Sequence, residues 1–295
     1  MEPKNVILLS GTPTGGKYEK LWTQCQLLGW DISERNFLSQ FVIYKSKMIG
    51  INKYIPVIKG YRNVDRLNTK LREHGAIFMK TEEVFDLPEQ IEQNIYISST
   101  KEYRKFRKDR VVYVDDDIRL LGDTTLTKML YERQLASQYN KNKLLALKDL
   151  INSTDDRLII FYNFNHELKL IKSITDRPIS EVNGTIKDLI NYENEENSIT
   201  LIQYQSGSMG LNLQKANKII YFSLPLSSEL LEQSKKRTHR IGQNRPCFYY
   251  YLLTKGSIDF KIYETLKMRK DYTNKLFKTS YQMSRENKKI IYLEI

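Results

Sequence analysis

Arg237 and Arg240 stand three residues apart in the run QSKKRTHRIGQ (Gln233–Gln243). The run reads as a helix, and a spacing of three sends both guanidinium groups off one helix face. Such a pair converges naturally on a polyphosphate and offsets charge developing on a transferred phosphoryl group. Gln233, a turn earlier, carries an amide suited to ordering a phosphate or a water. On spacing alone, a solvated basic face or a clamp on nucleic acid is the simpler account of the same residues.

A second run invites a nucleotide reading and fails it. Gly11 to Lys17 spells G-x-x-x-x-G-K, the pattern of a phosphate-cradling loop. That loop needs Ser or Thr after the lysine to hold magnesium, and here the place is taken by Tyr18. Pro13 also removes a backbone N–H that would face phosphate. RVVYVDDD (Arg110–Asp117) imitates an apolar strand ending in metal-binding acids, but without a phosphate loop it reads as a short strand entering a solvated acidic turn. The three histidines, His74, His166 and His239, are scattered, and Cys25 and Cys247 form no ligand spacing; no metal site is expected.

These residues must be held by regular elements. VILLS (Val6–Ser10) reads as a buried strand, followed by a turn and a helix near Lys17–Leu28. NVDRLNTKLREH has helical periodicity, and QIEQNIYIS (Gln90–Ser98) alternates like a strand. From Asn140 the order becomes regular: a helix to Asn152, then the strand RLIIFYNF, a helix from His166 and the strand SITLIQYQ. After these come the strand KIIYFSLP, a helix capped by Ser227 or Ser228, the strand CFYYYLLT and a long amphipathic helix from Ile258 to Phe277. Apolar strands alternating with helices predict an α/β fold with a parallel sheet covered on both faces. Ligands in such sheets bind beyond the carboxyl ends of the strands, and the special residues are expected there.

Composition agrees with a polyanion partner. Lys and Arg exceed Asp and Glu by 47 to 35, a net charge of +12 in 295 residues. No apolar run approaches a membrane span, no secretory signal precedes the first strand, and a cytoplasmic, reducing setting is expected. The wealth of Lys, Asn, Ile and Tyr fits an AT-rich coding sequence, as in a phage or a low-GC host.

The stretch QSGSMGLNLQKANKIIYFSLPLSSELLEQSKKRTHRIGQNRPCFYYYLLTKGSID (Gln205–Asp259) resembles motifs V and VI of the Swi/Snf family of superfamily-two helicases and DNA translocases. ILLSGTPTGGKYEKLWTQCQLLGW resembles the family's motif III and following helix, and FYNF (Phe161–Phe164) its motif IV. The likeness runs from Val6 to about Phe277. It departs from the family at Phe78-Met79-Lys80-Thr81, where arginines are usual, and at Asn163, where Gln is usual.

The resemblance implies a RecA-like parallel sheet flanked by helices, the second lobe of a helicase. A partial first RecA-like lobe and a helical linking region should precede it. Residues 1–100 are expected to be the remnant of lobe one, 101–137 a linker, 138–280 the C-terminal RecA-like domain and 281–295 a tail. It also implies roles. Arg237, Arg240 and Gln233 would act on ATP, and Gly207, Gly210 and Asn212 would line the nucleotide or orient the arginines. Ser10, Gly11, Thr12 and Pro13 would couple ATP to nucleic acid, and Ser206, Ser208 and Asn163 would contact nucleic acid, most naturally duplex DNA. His239 would make a structural hydrogen bond. The family's phosphate loop and acidic box precede motif III, so ATP and Mg2+ are expected to be held mainly by an amino-terminal half. The expected function is the carboxy-terminal part of an ATP-dependent translocase; the alternative is a non-catalytic nucleic-acid-binding or regulatory protein derived from one.

Overall fold

The computed structural model describes residues 6–9, 13–50, 52–78, 85–115, 118–206 and 210–269. They fall into two compact units, the first up to Phe78 with 267–269 and the second over Phe85–Leu266.

In the first unit a single 3-10 turn (Tyr18–Lys20) leads into α1 (Leu21–Leu27), α2 (Glu34–Phe41), a hairpin of β1 (Val42–Gly50) and β2 (Lys53–Tyr61), and α3 (Val64–Glu73). Its core is Tyr18, Leu21, Cys25, Phe37, Phe41, Leu67 and Leu71. Tyr18 is fully buried and stacks on Tyr61 at 4.4 Å, so the residue that spoils the phosphate-loop pattern is a core residue. The Gly16 N–H donates inward to Thr14 Oγ1 at 3.0 Å, and the Lys17 N–H to Thr14 O at 2.9 Å. These amides close a turn instead of cradling an anion.

The strand expected at Val6–Ser10 is not formed over 6–9, where Ile7 and Leu9 are 81% and 92% exposed. Apolar sequence favours a strand only where a neighbour supplies the ladder, and among the described residues none pairs with it. Ser10, Gly11 and Thr12 lie outside the described residues, as do Met79, Lys80 and Thr81.

The second unit opens with β3 (Gln90–Ile97), α4 (Lys101–Asp109), a hairpin of β4 (Val111–Val114) and β5 (Ile118–Leu121), and α5 (Thr125–Ala136). Then come α6 (Lys141–Asn152), β6 (Leu158–Tyr162), α7 (Asn165–Lys172), β7 (Ile179–Val182), β8 (Lys187–Asp188) and α8 (Ile190–Asn194). They are followed by β9 (Ile199–Gln203), β10 (Lys218–Tyr221), α9 (Ser228–Lys235), β11 (Cys247–Thr254) and a helix over 258–269, α10.

Seven strands form one sheet in the order β3-β11-β10-β6-β9-β7-β8, parallel except for the short β8. The unbroken apolar runs LIIFY and KIIY have the composition of strands buried on both faces. Successive side chains take opposite sides. Ile159, Phe161, Ile219 and Tyr221 enter one core cluster, while Leu158, Ile160, Tyr162 and Ile220 enter the other.

Two features differ from the expected division. β3, expected in the first segment, pairs with β11 along its whole length, from Gln90↔Cys247 to Ile97↔Thr254. Residues 101–137, expected as a linker, pack Tyr103, Phe106, Val112, Val114, Leu120, Leu135 and Ala136 into the core beside the sheet. Dense surface charge on α4 disguises a helix whose Tyr103 and Phe106 share one apolar face.

One buried ion pair ties the helices to the sheet end. Lys143 Nζ of α6 lies 2.9 Å from Asp259 Oδ2 at the start of α10, with both side chains almost wholly shielded, and 5.7 Å over the Phe222 ring. The same carboxylate oxygen accepts the Thr254 N–H at 3.0 Å. Removing one member leaves the other charge buried without its partner. Lys143→Ala should therefore lower stability by about 3 kcal/mol or more, read as the urea-denaturation midpoint; a loss below about 1 kcal/mol would show that the pair contributes little.

Candidate functional site

Among the residues singled out in the sequence, Arg237, Arg240 and Asn212 lie at one edge of the parallel sheet and Asn163 at the opposite edge. α9 leaves the carboxyl end of β10, with Ser227 Oγ accepting the Leu230 N–H as its cap. It returns along the sheet and delivers its last turn to the edge where β10, β11 and β3 begin. Arg237 and Arg240 therefore lie at the amino ends of the strands, not beyond the carboxyl ends as expected.

The arginines also lie off the helix. α9 ends at Lys235, and the N–H groups of Arg237, Thr238 and His239 close back on Ser234 O and Lys235 O as successive turns. Turning frees the Arg237 carbonyl to accept the Leu213 N–H at 3.0 Å, which joins this segment to the loop before β10. The two guanidinium groups are thus placed by turns and partners, and helical spacing plays no part.

Three buried side chains hold those turns. Lys235 Nζ reaches Glu92 at 2.6 Å and Glu232 at 3.3 Å and lies over the Tyr249 and Tyr251 rings. Burial alone would lower its pKa, but the two carboxylates outweigh burial and raise it above the ordinary lysine value. His239 Nε2 lies 2.8 Å from Pro88 O, and because a carbonyl only accepts, the proton sits on Nε2. Gln243 Nε2 donates to Gln214 O at 3.0 Å and Ala216 O at 2.9 Å, after Gly242 has turned the chain with φ +95°.

Between these anchors Arg240 Nη1 donates to Asn212 Oδ1. Arg237 is half-buried, and its pKa is pushed below the ordinary arginine range, first by burial and then by the charge of Arg240. Two like charges are thus held close enough to disfavour one another. Gly210, with φ +40°, opens the turn that leads to Asn212. Gln233 stays on α9 and donates to Glu229 Oε1 at 3.3 Å. Gly207 and Ser208 lie outside the described residues; Ser206 is described and buried.

The carboxyl edge carries Asn163. Its Nδ2 donates to Ser223 Oγ at 2.8 Å and Leu224 O at 3.1 Å, so its amide ties the end of β6 to the end of β10. Fully buried Glu167 accepts from the Asn163 N–H, the Phe164 N–H and Ser223 Oγ. Arg133 donates to Leu224 O and lies 5.2 Å over the Phe164 ring. Phe161 stacks in the core on Tyr204 and Tyr221. At motif III, Pro13 O accepts from Gln24 Nε2 at 2.7 Å. Sequence reading missed Lys235, Glu167 and Arg133, whose only local signal is a charged residue on the apolar side of a helix. Among the described residues no group of three His, Cys, Asp or Glu side chains is placed to hold a metal ion.

Residues 142–242 match the family model for the helicase conserved C-terminal domain. The DNA repair and recombination protein RDH54 of Saccharomyces cerevisiae is 27% identical over 167 residues, 53% of this chain and 17% of that protein. The bovine DNA annealing helicase and endonuclease ZRANB3 is 23% identical over 301 residues, 92% of this chain and 27% of that protein. The putative ATP-dependent helicase/translocase YwqA of Bacillus subtilis is 21% identical over 313 residues, covering 92% of this chain and 32% of that protein. The crystal structure of the C-terminal part of the Fun30 ATPase domain aligns with a TM-score of 0.49 and 14% identity, over 67% of this chain and 99% of that one. This chain spans less than a third of the length of each of the three curated relatives named here.

Sheet order, flanking helices and family match together define a RecA-like helicase C-terminal lobe. Beyond residues 142–242 the chain is similar to proteins described as DNA repair, annealing-helicase and helicase/translocase proteins.

Gln243 gives a local test. Gln243→Ala leaves two backbone carbonyls without its amide, at about 1–3 kcal/mol for a buried acceptor. Hydrogen exchange should then speed up across 211–217 and 236–243 while β6 and β9 stay protected. Uniform loss across the sheet would deny that Gln243 acts locally.

Proposed function

We propose that this chain supplies the second lobe of an ATP-dependent translocase on double-stranded DNA. Arg237 and Arg240 complete an ATP site whose phosphates and Mg2+ are held mainly by an amino-terminal helicase half. The observation that carries this reading is the arginine pair itself. It is partly desolvated, mutually repelling and anchored through Asn212 and the Leu213 N–H. A polyphosphate between the two groups would relieve their repulsion. When the lobes close on ATP, the arginines would stabilise charge on the transferring phosphoryl group, an effect of about 10³–10⁵ in related enzymes. Reopening after hydrolysis would move the lobes along a backbone held by phosphate contacts and read without base specificity.

The two edges suit a division of labour. The arginines occupy the amino edge, while Asn163, held at the carboxyl edge, stands near the end of β6 to support nucleic-acid contacts there with Ser206 and Ser208. Asn212 would orient Arg240, and Ser10, Gly11, Thr12 and Pro13 would transmit closure. Gln233 would order water only if its bond to Glu229 opens. Cys25 and Cys247 are free and buried, in keeping with a reducing cytoplasm.

DNA-stimulated ATP hydrolysis tests the reading, with this chain mixed with a polypeptide carrying the phosphate loop and acidic box. Arg240→Ala should lower kcat about 10³-fold or more while duplex affinity changes by less than about twofold. Arg240→Lys should rescue little, since a point charge lacks the planar fork. Parallel loss of hydrolysis and duplex binding would instead place Arg240 on the DNA.

A further inference from the structure

The β1–β2 hairpin is a two-stranded ribbon whose described residues from Tyr44 to Lys59 are exposed apart from half-buried Val57. The register pairs Tyr44 with Ile58, Ser46 with Pro56 and Met48 with Tyr54 on one face. Lys45 opposes Val57 and Lys47 opposes Ile55 on the other. Because side chains alternate along a strand, Lys53 shares the face of Ile55 and Val57. Three of the four lysines of the hairpin, Lys45, Lys47 and Lys53, therefore stand on one face, Lys59 falling at the register shift between Ile43 and Tyr44, and residues 42–61 contain no Asp or Glu. Among the described residues none of the four makes an ion pair.

We propose that this ribbon docks on duplex nucleic acid, its lysine face lying along the phosphate backbone. The inference rests on the reading of the chain as a nucleic-acid motor and adds a contact surface outside the helicase motifs. Nine residues per strand make a ribbon about 30 Å long, close to one duplex turn of ~34 Å. Lysines also discourage edge-to-edge pairing of exposed strands, and Pro56 in β2 serves that end. Edge protection, however, needs a charge at the edge; it does not need three lysines on one face without an acid. A face of one sign with no internal partners is complementary to a polyanion, and its neutralisation of phosphates releases counterions.

Fluorescence anisotropy of the full chain with a short duplex, across a salt series, tests the proposal. The variant K45Q/K47Q/K53Q should bind at least tenfold more weakly at low salt. Its log-affinity against log-salt slope should be shallower by about 3, near 0.9 for each phosphate no longer neutralised. Thermal melting should be unchanged, since the side chains are exposed. Tyr44→Ser with Tyr54→Ser, on the opposite face, should leave duplex affinity within about twofold, a range that bears on the lysine face alone. An unchanged affinity and slope in the lysine variant overturns the proposal, as does a loss confined to single strands or a larger loss in the tyrosine variant. The motor reading is judged separately, by hydrolysis with Arg240→Ala.

Discussion

A helix that follows a strand of a parallel sheet has to travel back along that sheet before the next strand begins. In this chain the constraint decides where the arginine pair sits. α9 starts beyond the carboxyl end of β10 and finishes beside the first residues of β11, so Arg237 and Arg240 emerge at the amino edge. The loop between β9 and β10 also ends at this edge, and Asn212 meets Arg240 there. Residues distant in sequence are brought together because two crossovers return to one side.

Buried charge fixes the detail. Lys235 anchors the last turn of α9 to β3 through Glu92, and Lys143 with Asp259 joins α6 to the start of α10. Burying an ammonium is unfavourable unless its partner is well placed, so each pair tolerates few arrangements of the elements it joins. Glu167 does the same at the carboxyl edge, where it gathers two backbone N–H groups and a serine hydroxyl. The arginine pair differs from these groups, since each of its charges disfavours the other.

The smaller unit shows what apolar sequence does without a ladder. Residues 6–9 are as apolar as many strands in the sheet and Ile7, Leu8 and Leu9 remain exposed, whereas β6 and β10, of similar composition, are wholly or largely buried between paired neighbours. The hairpin pairs its own strands and, among the described residues, no further strand joins it, so both its faces meet solvent from Tyr44 to Ile55.

Much was legible in the sequence. The runs LIIFY, ITLIQ and KIIY dictated strands buried on both faces, because only a parallel sheet between helix layers accommodates such continuous apolar segments. A cap at Ser227 or Ser228, a helix start at Asn140 and the spacing of the helicase motifs likewise read from the sequence, and the structure puts the caps on Ser227 and Asn140. Tertiary structure decided the rest. β3 joined β11, residues 101–137 joined the core, and α9 stopped at Lys235 so that the arginines left on turns. Local pattern encodes what a segment does with its own backbone and its own apolar face. Strand partners, buried counterions and the edge at which a loop ends depend on interactions across long separations, and these exist only once the sheet has formed.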